Sequence, residues 1–202
     1  MELRAFFKKG ISYEAYTAEF AKAVEEKRTS GPLQNEELTH YTELNFRRSS
    51  RIYKHTVLLP ELLEAAQAIE KPLDVIVLTE FWCGDAAQNI PVIELLAEQS
   101  GKLNLRYLFR DENLELMDQY LTKGGRSIPK LIFMHADSGD EILNWGPRPA
   151  EAQRVVEELK AKEMPKAEFL EAVQRWYNAD KTISLQRELV DLLVRLCEQQ
   201  AV

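Results

Sequence analysis

The sequence predicts an α/β domain with a central mixed sheet of about four strands, flanked by helices and extended by helical segments at both ends. Three observations carry this. Short apolar runs rich in β-branched residues alternate with helix-period stretches between Leu73 and Lys162. Two of the four runs, 130–134 and 141–146, are split only by the turn Asp137-Ser138-Gly139-Asp140, as in a hairpin. On either side of this core the apolar residues recur at helical spacing. The expected division is a helical extension over 1–70 packed on the core, the core over 71–162 and a second helical extension over 163–202.

Taken in order, Ser12 is placed to cap a helix whose Tyr16, Phe20, Ala23 and Val24 share one face, and which should end near Ser30-Gly31-Pro32. A second helix is expected from about Asn35 to Lys54, with Leu38, Tyr41, Thr42, Leu44 and Ile52 turned to a core. Pro60 opens a third, because proline lacks an N–H that the first helical turn would leave unpaired anyway. Leu73 to Leu78 reads as a central strand covered on both faces. The helix from Gly84 to Ser100 contains Pro91, which removes one internal hydrogen bond. Leu103 to Phe109 should lie parallel to the first strand, reached by a right-handed crossover. A helix over Asn113 to Leu121, ended by Gly124-Gly125, leads to the hairpin, and Pro149 to Lys162 closes the core. Beyond Met164-Pro165, helices are expected at Glu168 to Tyr177 and Ser184 to Glu198. The latter carries Leu185, Leu189, Leu192, Leu193 and Leu196 as an apolar stripe that should dock on the domain.

Acidic residues outnumber basic ones, 33 to 26, which disfavours nonspecific binding to nucleic acid or to an anionic membrane. The basic run Arg47-Arg48-Ser49-Ser50-Arg51-Ile52-Tyr53-Lys54 is expected to be a solvated helix face, with an acidic partner as the alternative. No apolar stretch is long enough to span a bilayer, and the first residues lack the pattern of a secretory signal, so a cytoplasmic location is expected. There the two cysteines, Cys83 and Cys197, would be reduced outside a catalytic cycle. No metal site is expected: His40, His55 and His135 are scattered, without ligand spacing.

The chemistry is concentrated at Trp82-Cys83-Gly84-Asp85-Ala86, where a lone thiol sits between a strand and a helix. First-turn amides have no partners within the helix and carry partial positive charge, so they favour thiolate over thiol. A thiol pKa below the free value of about 8.5 is therefore expected, with the charge of Asp85 opposing the shift. A dithiol mechanism needs a second cysteine three residues on, one helical turn away. Ala86 occupies that place.

This ordered set resembles the thioredoxin superfamily over roughly Leu73 to Lys160. Trp82, Cys83 and Gly84 match the family's active-site start. Arg126-Ser127-Ile128-Pro129 before the strand Lys130 to Met134 matches its cis-proline loop, and Gly146 the glycine beside the substrate groove. The Trp-Cys-Gly-Asp form is similar to a bacterial branch with a helical N-terminal region. The resemblance implies a fold of the thioredoxin type, Cys83 as nucleophile, and a groove formed by Trp82, Ile128, Pro129, Trp145 and Gly146, with Gly84 and Asp85 in support. Thioredoxins also carry a buried aspartate where this chain has Val77. Glu80 is expected at the strand end facing solvent, the other reading being that it partly replaces that aspartate.

The implied activity is monothiol disulfide exchange. Cys83 attacks a protein or small-molecule disulfide, and an external thiol such as glutathione, acting as co-substrate rather than bound cofactor, releases the mixed disulfide. Resolution by Cys197 would need its Cα within about 7 Å of that of Cys83. The rival expectation is a noncatalytic binding module that keeps the fold and has lost the redox cycle. An iron–sulfur cluster bridging two subunits is the remotest alternative, because one thiolate per chain falls far short of the usual four.

Overall fold

The computed structural model describes residues 2–200. Among them, helices α1 (Leu3–Lys9), α2 (Tyr13–Glu25), α3 (Glu36–His55) and α4 (Pro60–Gln67) precede the first strand. The core follows as β1 (Leu73–Thr79), α5 (Gly84–Ser100), β2 (Leu103–Phe109), α6 (Leu114–Met117), β3 (Lys130–His135), β4 (Glu141–Trp145) and α7 (Ala150–Ala161). Helices α8 (Lys166–Asp180) and α9 (Ile183–Gln200) complete the described chain.

The four strands form one sheet in the order β2-β1-β3-β4. Strand β1 pairs parallel with β2, from Leu73 opposite Leu103 to Thr79 opposite Phe109, and antiparallel with β3. Strands β3 and β4 form the antiparallel hairpin. From Val75 to Thr79 every residue of β1 is buried, which explains its unbroken apolar run: helices cover both faces of the central strand. The chain thus has a thioredoxin-like fold with helical extensions.

Local signals set most boundaries. The side chains of Ser12 and Asn35 accept the amides of Ala15 and Leu38 and start α2 and α3. Pro60 occupies the first turn of α4, and Gly101 ends α5 with φ +65°. Pro91 lies inside α5. Leu185, Leu189, Leu192, Leu193 and Leu196 of α9 are buried, and the helix packs on α4 and β4.

Two elements differ from expectation. Helix α2 stops at Glu25, short of Ser30, because the chain turns through Lys27 at φ +52° and carries Thr29 and Ser30 into the interior, where Thr42 donates to Thr29 Oγ1 at 2.7 Å. The helix expected over 113–121 shrinks to α6, preceded by a 3-10 turn at Arg110–Glu112. Asn113 spends its amide on the Phe109 carbonyl instead of capping, and after Met117 the amides of Gln119 and Tyr120 bond three residues back. The short helix α1 had no separate signal. It is fixed by Leu3 and Phe6, which share a face and are both buried.

Candidate functional site

The turn between β1 and α5 is shaped by the N-terminal helices. Ser30 Oγ accepts the Phe81 amide at 2.8 Å, and Asn45 of α3 donates to the Phe81 carbonyl at 3.0 Å. The Phe81 ring stacks on Phe20 of α2 with centroids 4.2 Å apart, and Tyr16 packs beside it at 5.4 Å. With its backbone and ring held by the preceding helices, Phe81 delivers Trp82 and Cys83 to the mouth of α5. Trp82 is half-buried under the Arg110 guanidinium, 4.8 Å from its ring, a cation–π contact.

Cys83 is the N-cap of α5 and only 7 % exposed. Its Sγ accepts the Ala86 amide at 3.4 Å and donates to the Ile128 carbonyl at 3.2 Å. The next peptide bond, Ile128-Pro129, is cis. Gly146 has φ +119°, and a side-chain carbon there would meet the Pro129 carbonyl oxygen at 2.2 Å, so only glycine lets β4 run on past the proline loop. Lys130, buried just after Pro129, donates to the Gly146 carbonyl at 3.2 Å and to Thr122 at 3.1 Å. Cys83, Ile128, Pro129 and Gly146 are therefore adjacent. Gly84 is exposed with open space about it. Trp145 turns its indole N–H to Glu188 of α9 at 2.6 Å, and of the five residues expected to form the groove only Trp82 lines the pocket at the thiol; Ile128, Pro129, Trp145 and Gly146 do not.

The expected depression of the thiol pKa is overturned. Burial, reinforced by the nearby Asp85 charge, pushes the Cys83 pKa up to about 12, against the lowering influence of the Ala86 and Asp85 amides and of Arg148. Stripping water from a thiolate costs more here than two amides and one guanidinium return. At neutral pH Cys83 is a thiol that donates its S–H to the Ile128 carbonyl.

Glu80 likewise does not face solvent. It is fully buried, takes a hydrogen bond from Ser30 Oγ on one oxygen, and accepts the Asp111 amide at 2.9 Å on the other. Burial raises its pKa to about 7, even though Ser30 and the Asp111 amide both favour the charged form. A charged side chain is hidden at the strand end because the 29–31 segment folds over it, a long-range closure that no local pattern announces. Val77, at the place of the family's aspartate, is buried in the core.

Asp85 is neutralised rather than left to act on the helix alone. It accepts Arg148 Nε at 3.0 Å and Nη2 at 2.5 Å, a two-pronged pair with both side chains largely buried, and the Tyr177 hydroxyl at 2.6 Å. Burial works against the Arg148 charge, but the Asp85 carboxylate more than offsets it and leaves the Arg148 pKa raised. Asn89 donates to Tyr177 Oη at 3.3 Å and closes the network. Arg148 and Tyr177 had no sequence signal as site residues, since they are joined to Asp85 only by the meeting of α5, α8 and the segment before α7; Asn89 sits one turn along α5, where its side chain also bonds the Asp85 carbonyl at 2.9 Å.

A pocket of ≈ 580 Å³ opens over this cluster, between α3, the Cys83 turn and α8. Leu38, Tyr41 and Leu44, expected in the core, line it instead, as does Arg48 from the basic run expected to be wholly solvated. Cys197 lies elsewhere. Its neighbour Glu70 precedes β1, whereas Cys83 follows it, and the seven residues of β1 separate the two by roughly 20 Å at about 3.3 Å per residue. The two sulfurs are far beyond disulfide reach. Among the described residues no group of three metal-ligating side chains converges, and no helix is long and apolar enough to cross a membrane.

A family model described as Thioredoxin matches residues 31–160. Among solved structures, the chain is similar to a protein of unknown function from Pseudomonas aeruginosa, with 14% identity, a TM-score of 0.60, and coverage of 97% of this chain and 96% of that one. It is also similar to an HIV epitope scaffold, with 14% identity, a TM-score of 0.61 and coverage of 96% of each chain. At this identity the likeness concerns the fold alone. No curated protein matches the chain.

Proposed function

Because this chain belongs to the thioredoxin family, we propose that it carries out thiol–disulfide exchange through one nucleophilic cysteine, Cys83, as a Trp-Cys-Gly-Asp member without a resolving cysteine. The observation that carries this reading is the placing of Cys83 Sγ, 3.2 Å from the Ile128 carbonyl beside Pro129 and 3.4 Å from the Ala86 amide. A disulfide entering there meets a sulfur at the amide end of α5, with the proline loop at its flank. The Cys83 sulfur bonds to one sulfur of the substrate, the substrate S–S bond breaks, and the released sulfur takes up the proton. With Ala86 one turn on and Cys197 at the other end of β1, a second thiol from solution, glutathione or a similar molecule, attacks the substrate sulfur of the mixed disulfide, forms a new disulfide with it and passes its proton to Cys83, which leaves as the thiol. The roof formed by α8 favours small disulfides over folded protein substrates, and the reducing cytoplasm would supply the second thiol.

Purified protein should reduce a small disulfide when glutathione is supplied, and Cys83→Ser should abolish this activity. Turnover driven efficiently by a thioredoxin reductase without glutathione would contradict the need for an outside thiol. The second reading, a noncatalytic binding module, draws on the raised Cys83 pKa, which leaves about a thousandfold less thiolate than the ordinary value of 9.0 would. It predicts no turnover at all, with glutathione or without.

A further inference from the structure

The ≈ 580 Å³ pocket over Cys83 has the size and the mainly apolar wall of a small-molecule site, with Leu38, Tyr41, Leu44, Trp82, Phe169 and Val173 among its lining residues. Its charges are almost all paired. Glu37 bonds Lys166 across the mouth, Asp85 holds Arg148, and Glu171 holds Arg175 at 2.7 Å. One cation is left over. Arg48 is half-buried in the wall, donates to Asn45 Oδ1 at 3.1 Å, and has no carboxylate partner among the described residues. A half-desolvated guanidinium in an apolar pocket is matched by a planar anion on the ligand, since a carboxylate can take two parallel N–H bonds. The pocket between α2, α3 and α5, at ≈ 620 Å³, offers no such opening. Two of its three carboxylates, Glu94 and Glu98, already take the hydroxyls of Tyr107 and Tyr53.

We propose that the pocket binds a low-molecular-weight disulfide with an apolar body and a single carboxylate, the carboxylate on Arg48 and the sulfurs toward Cys83. Binding stands on the pocket alone, and only the exchange step rests on the function proposed above. In that step the Cys83 sulfur bonds to one ligand sulfur, the ligand S–S bond opens, and the Cys83 proton passes to the freed sulfur. Cys83 is oxidised to the mixed disulfide while the freed sulfur is reduced to a thiol. A polar disulfide with several charges, such as oxidised glutathione, fits this wall poorly, and it is reduced glutathione that supplies the second thiol.

The test is calorimetric titration of the Cys83→Ser protein, which binds but does not exchange, with lipoate, with lipoamide and with oxidised glutathione. Lipoate and lipoamide share one apolar body and one cyclic disulfide, and they differ in the carboxylate. Lipoate should bind at least tenfold more tightly than either of the others. Adding Arg48→Gln should bring lipoate and lipoamide within twofold of each other, and Arg48→Lys should restore part of the preference. Equal affinity for lipoate and lipoamide, or binding of oxidised glutathione as tight as that of lipoate, would overturn the proposal, and this comparison decides even if the Arg48 variants fail to fold. Lipoate binding to Cys83→Ser together with no turnover by the unsubstituted protein would overturn the exchange activity alone. Glutathione-dependent turnover with no preference for lipoate would overturn the pocket assignment alone.

Discussion

At the scale of the residue, two acids on either side of the Phe81 turn keep different company. Asp85 is paired with Arg148, whereas Glu80 is hydrogen-bonded only to neutral donors, Ser30 and the Asp111 amide, and burial lifts its pKa from 4.5 to about 7. The native state therefore holds the Glu80 proton more tightly than the unfolded chain does. By linkage, the stability this group contributes is fully present below pH 4.5 and is lost as pH rises to about 7. Two and a half pH units at ~1.4 kcal/mol each put the loss on the order of 3 kcal/mol. Glu80→Gln stays neutral, so in urea titrations it should match the parent near pH 4.5 and exceed it by about that amount at pH 8. Equal stabilities at pH 8 would show that the carboxyl is not held protonated. The sequence named Glu80 and Cys83 as the residues to watch but misjudged their surroundings, for burial here comes from Ser30, Asn45 and Phe20, brought from distant segments.

At the scale of the element, helix α8 stands apart. Of its fifteen residues only Tyr177 is buried; the helix packs on α7, and its side-chain bonds to the rest are few: Lys166 to Glu37, Gln174 to Gln88 at 3.2 Å, Asn178 to Arg51 at 3.4 Å, and Tyr177 to Asp85. A helix held this way is loosened more readily than one seated on a core. The Tyr177 hydroxyl is the tie closest to the thiol, and a hydrogen bond to a charged group is worth about 1.5–3 kcal/mol. Tyr177→Phe should speed labelling of Cys83 by a small alkylating agent roughly tenfold or more, if opening of α8 limits access. An unchanged rate would mean that the thiol is reached by another path. The span of α5, Gly84–Ser100, was legible to the residue because the strand-to-helix turn at Cys83 and the left-handed Gly101 bound it, and β1 lay within one residue of its expected end. Helix α6 was not, since the amides of Gln119 and Tyr120 bond three residues back and the Asn113 side chain donates to the Phe109 carbonyl instead of capping, neither of which a helical pattern reveals.

At the scale of the whole molecule, the segments before and after the sheet complete the site: α2 and α3 hold Phe81, α3 and α8 wall the pocket, and α9 packs on α4 and β4. The α/β class, the mixed four-stranded sheet and the parallel pairing of β1 with β2 were readable from the apolar runs and from the resemblance carried by Trp82-Cys83-Gly84, Ile128-Pro129 and Gly146. The roof over the thiol was not, because it depends on how two end segments meet in space. If α9 is integral to this assembly, Leu193→Ala, which empties a fully buried site, should cost about 2–5 kcal/mol in thermal or urea unfolding. A loss below about 0.5 kcal/mol, the range of surface substitutions, would show that the helix is peripheral. The central claim, a lone buried thiol that still exchanges, is tested most directly by the rate at which Cys83 forms a mixed disulfide with a small disulfide as a function of pH, read by mass on the native protein. The expected result is a rate below that of free cysteine at neutral pH, rising tenfold per pH unit through pH 9 without a plateau, with every adduct removed by glutathione. A plateau near neutral pH would contradict the buried thiol, and no adduct at Cys83 at any pH where the protein stays folded would contradict the exchange.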